Sequence, residues 1–89
     1  MLNERLLEAL YLPVEKRAVR RLVELARQYG SDAGEVVIPL IQEELAGLVG
    51  TTRATLNQVL RALEETGLVE LSRGKTIVTD VGALAGRVR

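Results

Sequence analysis

The chain has 89 residues, and since typical domains run to roughly 100–150 residues it has room for one domain only. Apolar residues make up 47% and charged residues 27%, and 12 Lys and Arg balance 12 Asp and Glu, which excludes both a disordered chain and a binder that relies on overall positive charge. There is no Cys and no His, and the aromatics are two Tyr, so thiol and imidazole chemistry, disulfides, the usual zinc ligands and a platform of stacked bases are all excluded.

Residues 2–12 read as a short helix, or the tail of a longer one, with Asn3 as N-cap and Leu6, Leu7 and Leu10 on one face. Pro13 interrupts that pattern and suits the first turn of a second helix reaching Tyr29. Val14, Ala18, Leu22, Leu25, Ala26 and Tyr29 recur there at helical spacing, and Gly30 is a natural stop. Lys16, Arg17, Arg20, Arg21 and Arg27 alternate with Glu15 and Glu24, the pattern of a solvated charged face. Residues 31–35 have turn chemistry, and Val36-Val37-Ile38, halted by Pro39, fits an edge strand.

Gln42 to Val49 reads as a short helix with Leu45, Leu48 and Val49 inward, ended by Gly50. The adjacent Glu43 and Glu44 point apart on a helix, so they form no acid–base pair; Glu43 suits the helix dipole. A further helix begins near Thr52, its expected N-cap, and ends at Thr66-Gly67, with Leu56, Val59, Leu60 and Leu63 buried at i, i+3, i+4, i+7. Residues 68–71 and 75–79 around Ser72-Arg73-Gly74 read as a β-hairpin, with Gly74 supplying the positive φ of a tight turn. Asp80 should cap a last short helix, Val81 to Arg87.

Two short helices joined at a glycine and followed at once by a hairpin predict a winged helix-turn-helix. The fold class is mainly α (α+β), a three-helix core with a small antiparallel hairpin wing. Ala46 is small where the two helices cross, and Gly50 lies where the backbone turns sharply. With the apolar stripe inward, the second helix of the pair presents Thr52, Arg53, Ala54, Asn57, Gln58 and Arg61 outward. Arg forks onto guanine O6 and N7, while Asn and Gln pair with adenine N6 and N7. Threonine hydroxyls and a helix N-terminus suit phosphate. Arg73 and Lys75 at the hairpin tip suit the DNA backbone, or serve only to keep a turn soluble. The competing reading is a winged-helix module that docks another protein and does not bind DNA.

The stretch Leu45-Ala46-Gly47-Leu48-Val49-Gly50-Thr51-Thr52-Arg53-Ala54-Thr55 resembles the C-terminal DNA-binding domain of Crp/Fnr-type bacterial transcription regulators. So do Leu60-Arg61-Ala62-Leu63-Glu64, Gly67-Leu68-Val69 and Gly74-Lys75-Thr76-Ile77-Val78. Leu12-Pro13-Val14-Glu15-Lys16-Arg17 and Leu22-Val23-Glu24-Leu25-Ala26 resemble the helix that opens that domain. The resemblance implies that Arg53 contacts a base, Thr52 and Thr55 hold phosphates, Lys75 touches the backbone from the wing, and Arg61 lies near the strand. It implies a domain at residues 13–89 preceded, over 1–12, by the end of a dimer helix, with the effector-sensing barrel of such regulators absent. The expected partner is double-stranded DNA, with RNA polymerase as a further partner. A homodimer is expected for the full-length regulator and a monomer or weak dimer for this chain.

Three departures concern the target sequence and one helix end. Ala54 stands where the family often has Glu, Gln58 where it often has a second Arg, and Ile41 where a capping Thr is common. No catalytic or metal-ligating set and no cofactor is expected, so the chain does not read as an enzyme. With no apolar run of the ~20 residues a membrane span needs, a cytoplasmic location is expected.

Overall fold

The computed structural model describes the backbone of residues 4–88 and the side chains of residues 14–88. Seven elements follow in chain order: α1 (Glu4–Tyr29), β1 (Val36–Ile38), α2 (Gln42–Val49), α3 (Arg53–Glu65), β2 (Val69–Ser72), β3 (Lys75–Val78) and α4 (Val81–Gly86). Among the described residues the fold is thus four helices and a three-stranded antiparallel sheet, as expected of a winged helix-turn-helix.

The two helices expected on either side of Pro13 are one helix of 26 residues. At 1.5 Å per residue it is about 39 Å long. Pro13 has no N–H to give the Ala9 carbonyl, but that removes a single bond from a long ladder and does not divide it here. The expected Asn3 cap and the facing of Leu6, Leu7 and Leu10 lie outside the described residues. Further along, α1 buries Ala18, Val19, Leu22, Val23, Leu25 and Ala26. This face is wider than the expected stripe because α2, α3, α4 and β1 all pack on it. Tyr29, expected inward, is 49% exposed, because the last turn projects past the core. The stop at Gly30 has a packing reason. A Cβ there would meet the Val36 Cγ1 at 2.9 Å, so the chain leaves α1 by passing directly over a buried, β-branched side chain.

The edge-strand reading of β1 holds. Among the described residues it pairs only with β3, in the order β1-β3-β2, with Val36 opposite Val78 and Ile38 opposite Thr76. On the other side of β3, Val69 faces Val78 and Ser72 faces Lys75. Val36, Ile38, Val69, Thr76 and Val78 therefore share the inner face, against the helices. The Arg73-Gly74 turn closes the hairpin, with positive φ at Gly74, as expected. Asp80 caps α4 by accepting from the Ala83 N–H at 3.2 Å, and the Val81 N–H bonds the Gly34 carbonyl at 2.9 Å, anchoring α4 to the loop before β1.

On α2 the inward residues are Leu45, Ala46 and Val49, and Leu48 is 44% exposed instead of buried. The buried face is formed by Leu45, Ala46 and Val49, against α1 and α3, which turns Leu48 aside. The start of α2 is uncapped: Ile41 takes the N-cap position with no side-chain bond to the first turn. Ile41 is itself 46% exposed, so its replacement sacrifices little burial. Ile41→Thr is therefore expected to raise stability by about 1 kcal/mol in urea titration, the usual worth of a capping hydroxyl.

Candidate nucleic-acid interface

The placement of α3 begins at Gly50. Its φ of 82° is left-handed, a conformation that costs an L-residue roughly 1–2 kcal/mol. This turn brings the Gly50 and Thr51 N–H groups onto one acceptor, the Ala46 carbonyl, at 2.9 and 3.0 Å. Two carbonyls at and just past the end of α2 are taken by Arg17 of α1. Its Nε donates to the Val49 oxygen and its Nη2 to the Gly50 oxygen, each at 3.0 Å. Sequence reasoning placed Arg17 on a solvated charged face; the tertiary fold uses it to hold the interhelical turn. Its neighbour Glu15 is also engaged, with Arg87 at 3.0 Å. Arg21 conforms to the expectation, pairing with Glu24 on an exposed surface.

Thr52 caps α3 as expected. Its Oγ1 accepts from the Thr55 N–H at 3.2 Å and donates to the Thr55 Oγ1 at 3.0 Å. The Thr52 hydroxyl is thereby occupied, while the Thr55 hydroxyl keeps its proton to donate. No acidic residue stands in the first turn of α3, so its free N–H groups and partial positive charge face outward uncompensated. Leu56, Val59, Leu60 and Leu63 are all buried, and that stripe turns the opposite side of the helix to solvent. Ala54, Gln58, Arg61 and Glu65 form its outermost ridge at i, i+4, i+7, i+11, and all four are exposed.

Arg53 and Asn57 lie on the flank of that ridge. Between the start of α3 and the hairpin tip is a notch lined by Gln42, Arg53, Ser72, Arg73 and Lys75. It adjoins a second, broader concavity lined by Gln42, Arg53, Ala54, Asn57 and Gln58. Arg53 and Gln42 belong to both. Six of the nine expected site residues, Arg53, Ala54, Asn57, Gln58, Arg73 and Lys75, are thus brought into one continuous surface. Thr52, Thr55 and Arg61 line neither concavity. Thr52 and Thr55 sit at the helix start, and Arg61 is turned along the helix onto Glu64, at 3.3 Å.

Charge is distributed unevenly over this surface. Among the described residues the ion pairs are Arg21–Glu24, Arg61–Glu64 and Arg87–Glu15, so Arg53, Arg73 and Lys75 have no carboxylate partner. The chain is neutral overall, yet three unpaired cations surround one notch. Glu64 has a second duty: its Oε2 accepts from the Leu71 N–H at 3.1 Å, tying strand β2 of the wing to the end of α3. Gln42 and Glu64 were not singled out in the sequence, because their roles depend on partners 15 and 7 residues away.

Comparison with known proteins places this geometry. The Crp-like helix-turn-helix domain family matches residues 16–87, which include α2, the Gly50 turn, α3 and the whole hairpin. The chain belongs to the Crp-like helix-turn-helix domain family. It is accordingly a DNA-binding domain of the transcription-regulator type. This Crp-like domain is 32% identical over 90 aligned residues to the CRP-like cAMP-activated global transcriptional regulator of Mycobacterium tuberculosis, covering 98% of the chain and 40% of that protein. Its structure is similar to the Thermus thermophilus catabolite activator protein, with a TM-score of 0.73 and 32% identity over 92% of the chain and 37% of that protein. It is also similar to a CRP/FNR-family transcriptional regulator from the same organism, with a TM-score of 0.71 and 28% identity over 83% of the chain and 39% of that one. The Crp-like domain therefore spans about two-fifths of the length of the curated relatives it matches. Among its described residues, no helix is long and apolar enough to cross a membrane.

Proposed function

We propose that this chain binds double-stranded DNA in a sequence-specific manner as the output domain of a Crp/Fnr-type transcription regulator. The observation that carries the reading is the convergence of Arg53 with the wing residues Arg73 and Lys75 on one notch, none of the three neutralised by a carboxylate. Grouping unpaired cations in this way is unfavourable for an isolated domain and is relieved by a polyanion. In this reading α3 enters the major groove. Arg53, Asn57 and Gln58 face base edges beside the apolar Ala54, and the hairpin lies against the neighbouring backbone. Thr52, Thr55, Arg61, Arg73 and Lys75 set the register through phosphates, with Thr55 supplying the free hydroxyl at the helix start.

The complete regulator would place two such domains on half-sites about one helical turn apart, as a homodimer, with RNA polymerase as a further partner. Sensing of an effector would fall to other parts of that regulator. The 89-residue chain alone, monomeric or weakly dimeric, would engage a single half-site. The test is Arg53→Ala in an unbiased selection of duplex sequences. The preference at one base pair should fall about tenfold while the rest of the site is retained, within the range of a lost bidentate contact. An unaltered site preference would remove Arg53 from the reading role.

A further inference from the structure

Asn57 is the one residue on the proposed reading surface whose side chain is held by another element. It is half-buried where α3 passes the start of α2, and its Nδ2 donates to the Gln42 Oε1 at 3.0 Å. Gln42 is half-buried as well and lines both concavities of the interface. A free asparagine amide is ambiguous for base reading, because rotation by half a turn exchanges its acceptor for its donors. In this structure the bond to Gln42 sets one of the two orientations, with Gln42 presenting its Oε1 and Asn57 its Nδ2; reversing it requires both amides to turn together. One Asn57 N–H is committed to Gln42, leaving the Oδ1 acceptor and the second N–H for the concavity shared with Gln58. That order of groups matches adenine, whose N6 amino group donates and whose N7 accepts. Guanine offers two acceptors, O6 and N7, and the fixed amide cannot satisfy both.

We propose that Gln42 is a specificity-determining positioning residue: it holds the Asn57 amide in the orientation that selects adenine, without itself reading the base. This rests on the DNA-binding function proposed above. The experiment is duplex selection with the wild-type chain and the variants Gln42→Ala, Gln42→Glu, Asn57→Ala and Arg53→Ala. Asn57→Ala locates the position that Asn57 reads, and the wild type should favour adenine there by about tenfold. Gln42→Ala should reduce that preference to about twofold and leave the position read by Arg53 unchanged. Gln42→Glu keeps an acceptor for Nδ2, so it should retain the adenine preference while lowering affinity at every sequence, since it adds a negative charge beside the phosphates. A purely structural role for Gln42 would instead weaken all sequences equally. The inference is overturned if Gln42→Ala leaves the adenine preference intact, if Asn57→Ala alters no position, or if the position read by Asn57 favours guanine or thymine. In each of these cases a persisting effect of Arg53→Ala keeps the proposed function standing. A wild-type chain that enriches no duplex sequence overturns both.

Discussion

Leu60→Ala is expected to destabilise the domain by about 2–5 kcal/mol, the range for emptying a fully buried leucine site. Leu60 is 0% exposed and sits in the middle of α3, surrounded by the other buried residues of the core. The cost has two parts, the lost transfer of apolar carbons from water and the cavity left behind. At roughly 0.05–0.15 kcal/mol per residue, a chain of this size has a total stability of about 4–13 kcal/mol. The substitution thus removes a large share of it. A loss of about 3 kcal/mol would lower Tm by roughly 12–24 °C in a domain of 60–100 residues. Urea unfolding followed by circular dichroism would measure it. Leu48→Ala is the matched control. Its side chain is 44% exposed, and a surface change of this kind stays within about 0.5 kcal/mol. Equal losses at the two leucines would contradict the orientation of α2 described above.

Affinity for duplex DNA is expected to fall about 12- to 40-fold as salt rises fourfold, from about 50 to about 200 mM. Each phosphate neutralised by a Lys or Arg contributes about −0.9 to the slope of log affinity against log salt. The unpaired wing cations Arg73 and Lys75 then give a slope of about −1.8, and a fourfold rise in salt costs about 12-fold. If Arg61 also exchanges Glu64 for a phosphate, the slope becomes about −2.7 and the loss about 40-fold. Glu64 stays anchored to the Leu71 N–H, so its charge remains close to Arg61 and offsets part of that third contribution. Fluorescence anisotropy across a salt series measures the slope, and the double variant Arg73→Ala/Lys75→Ala should flatten it by about 1.8 units. A winged-helix module that docks protein and not DNA would show no comparable slope with duplex DNA.

Much of the candidate interface was legible because its chemistry is local. The stripe Leu56, Val59, Leu60 and Leu63 orients α3 by helical spacing alone, and all four are buried. The Thr52 and Asp80 caps each act within three residues, the left-handed turn at Gly50 closes over four and five, and the positive φ at Gly74 lies within its own hairpin. Given those features, the exposure of Arg53, Ala54 and Gln58 and the position of the wing followed.

Other features resisted the same reasoning for definite causes. The rule that proline ends a helix is a local penalty, and one lost bond does not divide the 26-residue α1. Helical spacing marks an apolar face without saying where the neighbouring element lies. Leu48 and Tyr29 therefore read as inward although α2 packs through Leu45, Ala46 and Val49 and the core ends before Tyr29. Arg17 is one of several cations interleaved with Glu, and nothing beside it in the chain indicates acceptors 32 and 33 residues away. The same holds for Gln42 and Asn57, 15 residues apart and joined only because α2 and α3 cross.

The amino-acid sequence by itself determined the kinds of element, the turn between α2 and α3, and the polar face left outward. These follow from backbone preferences and hydrophobic spacing within about a dozen residues. Only the tertiary structure decided which polar side chains are free and which are committed. Arg17 went to the turn, Asn57 to Gln42 and Arg61 to Glu64, while Arg53, Arg73 and Lys75 kept their charge for the notch. The physical reason is that a hydrogen bond or ion pair depends on distance in space, and packing sets that distance between residues far apart along the chain.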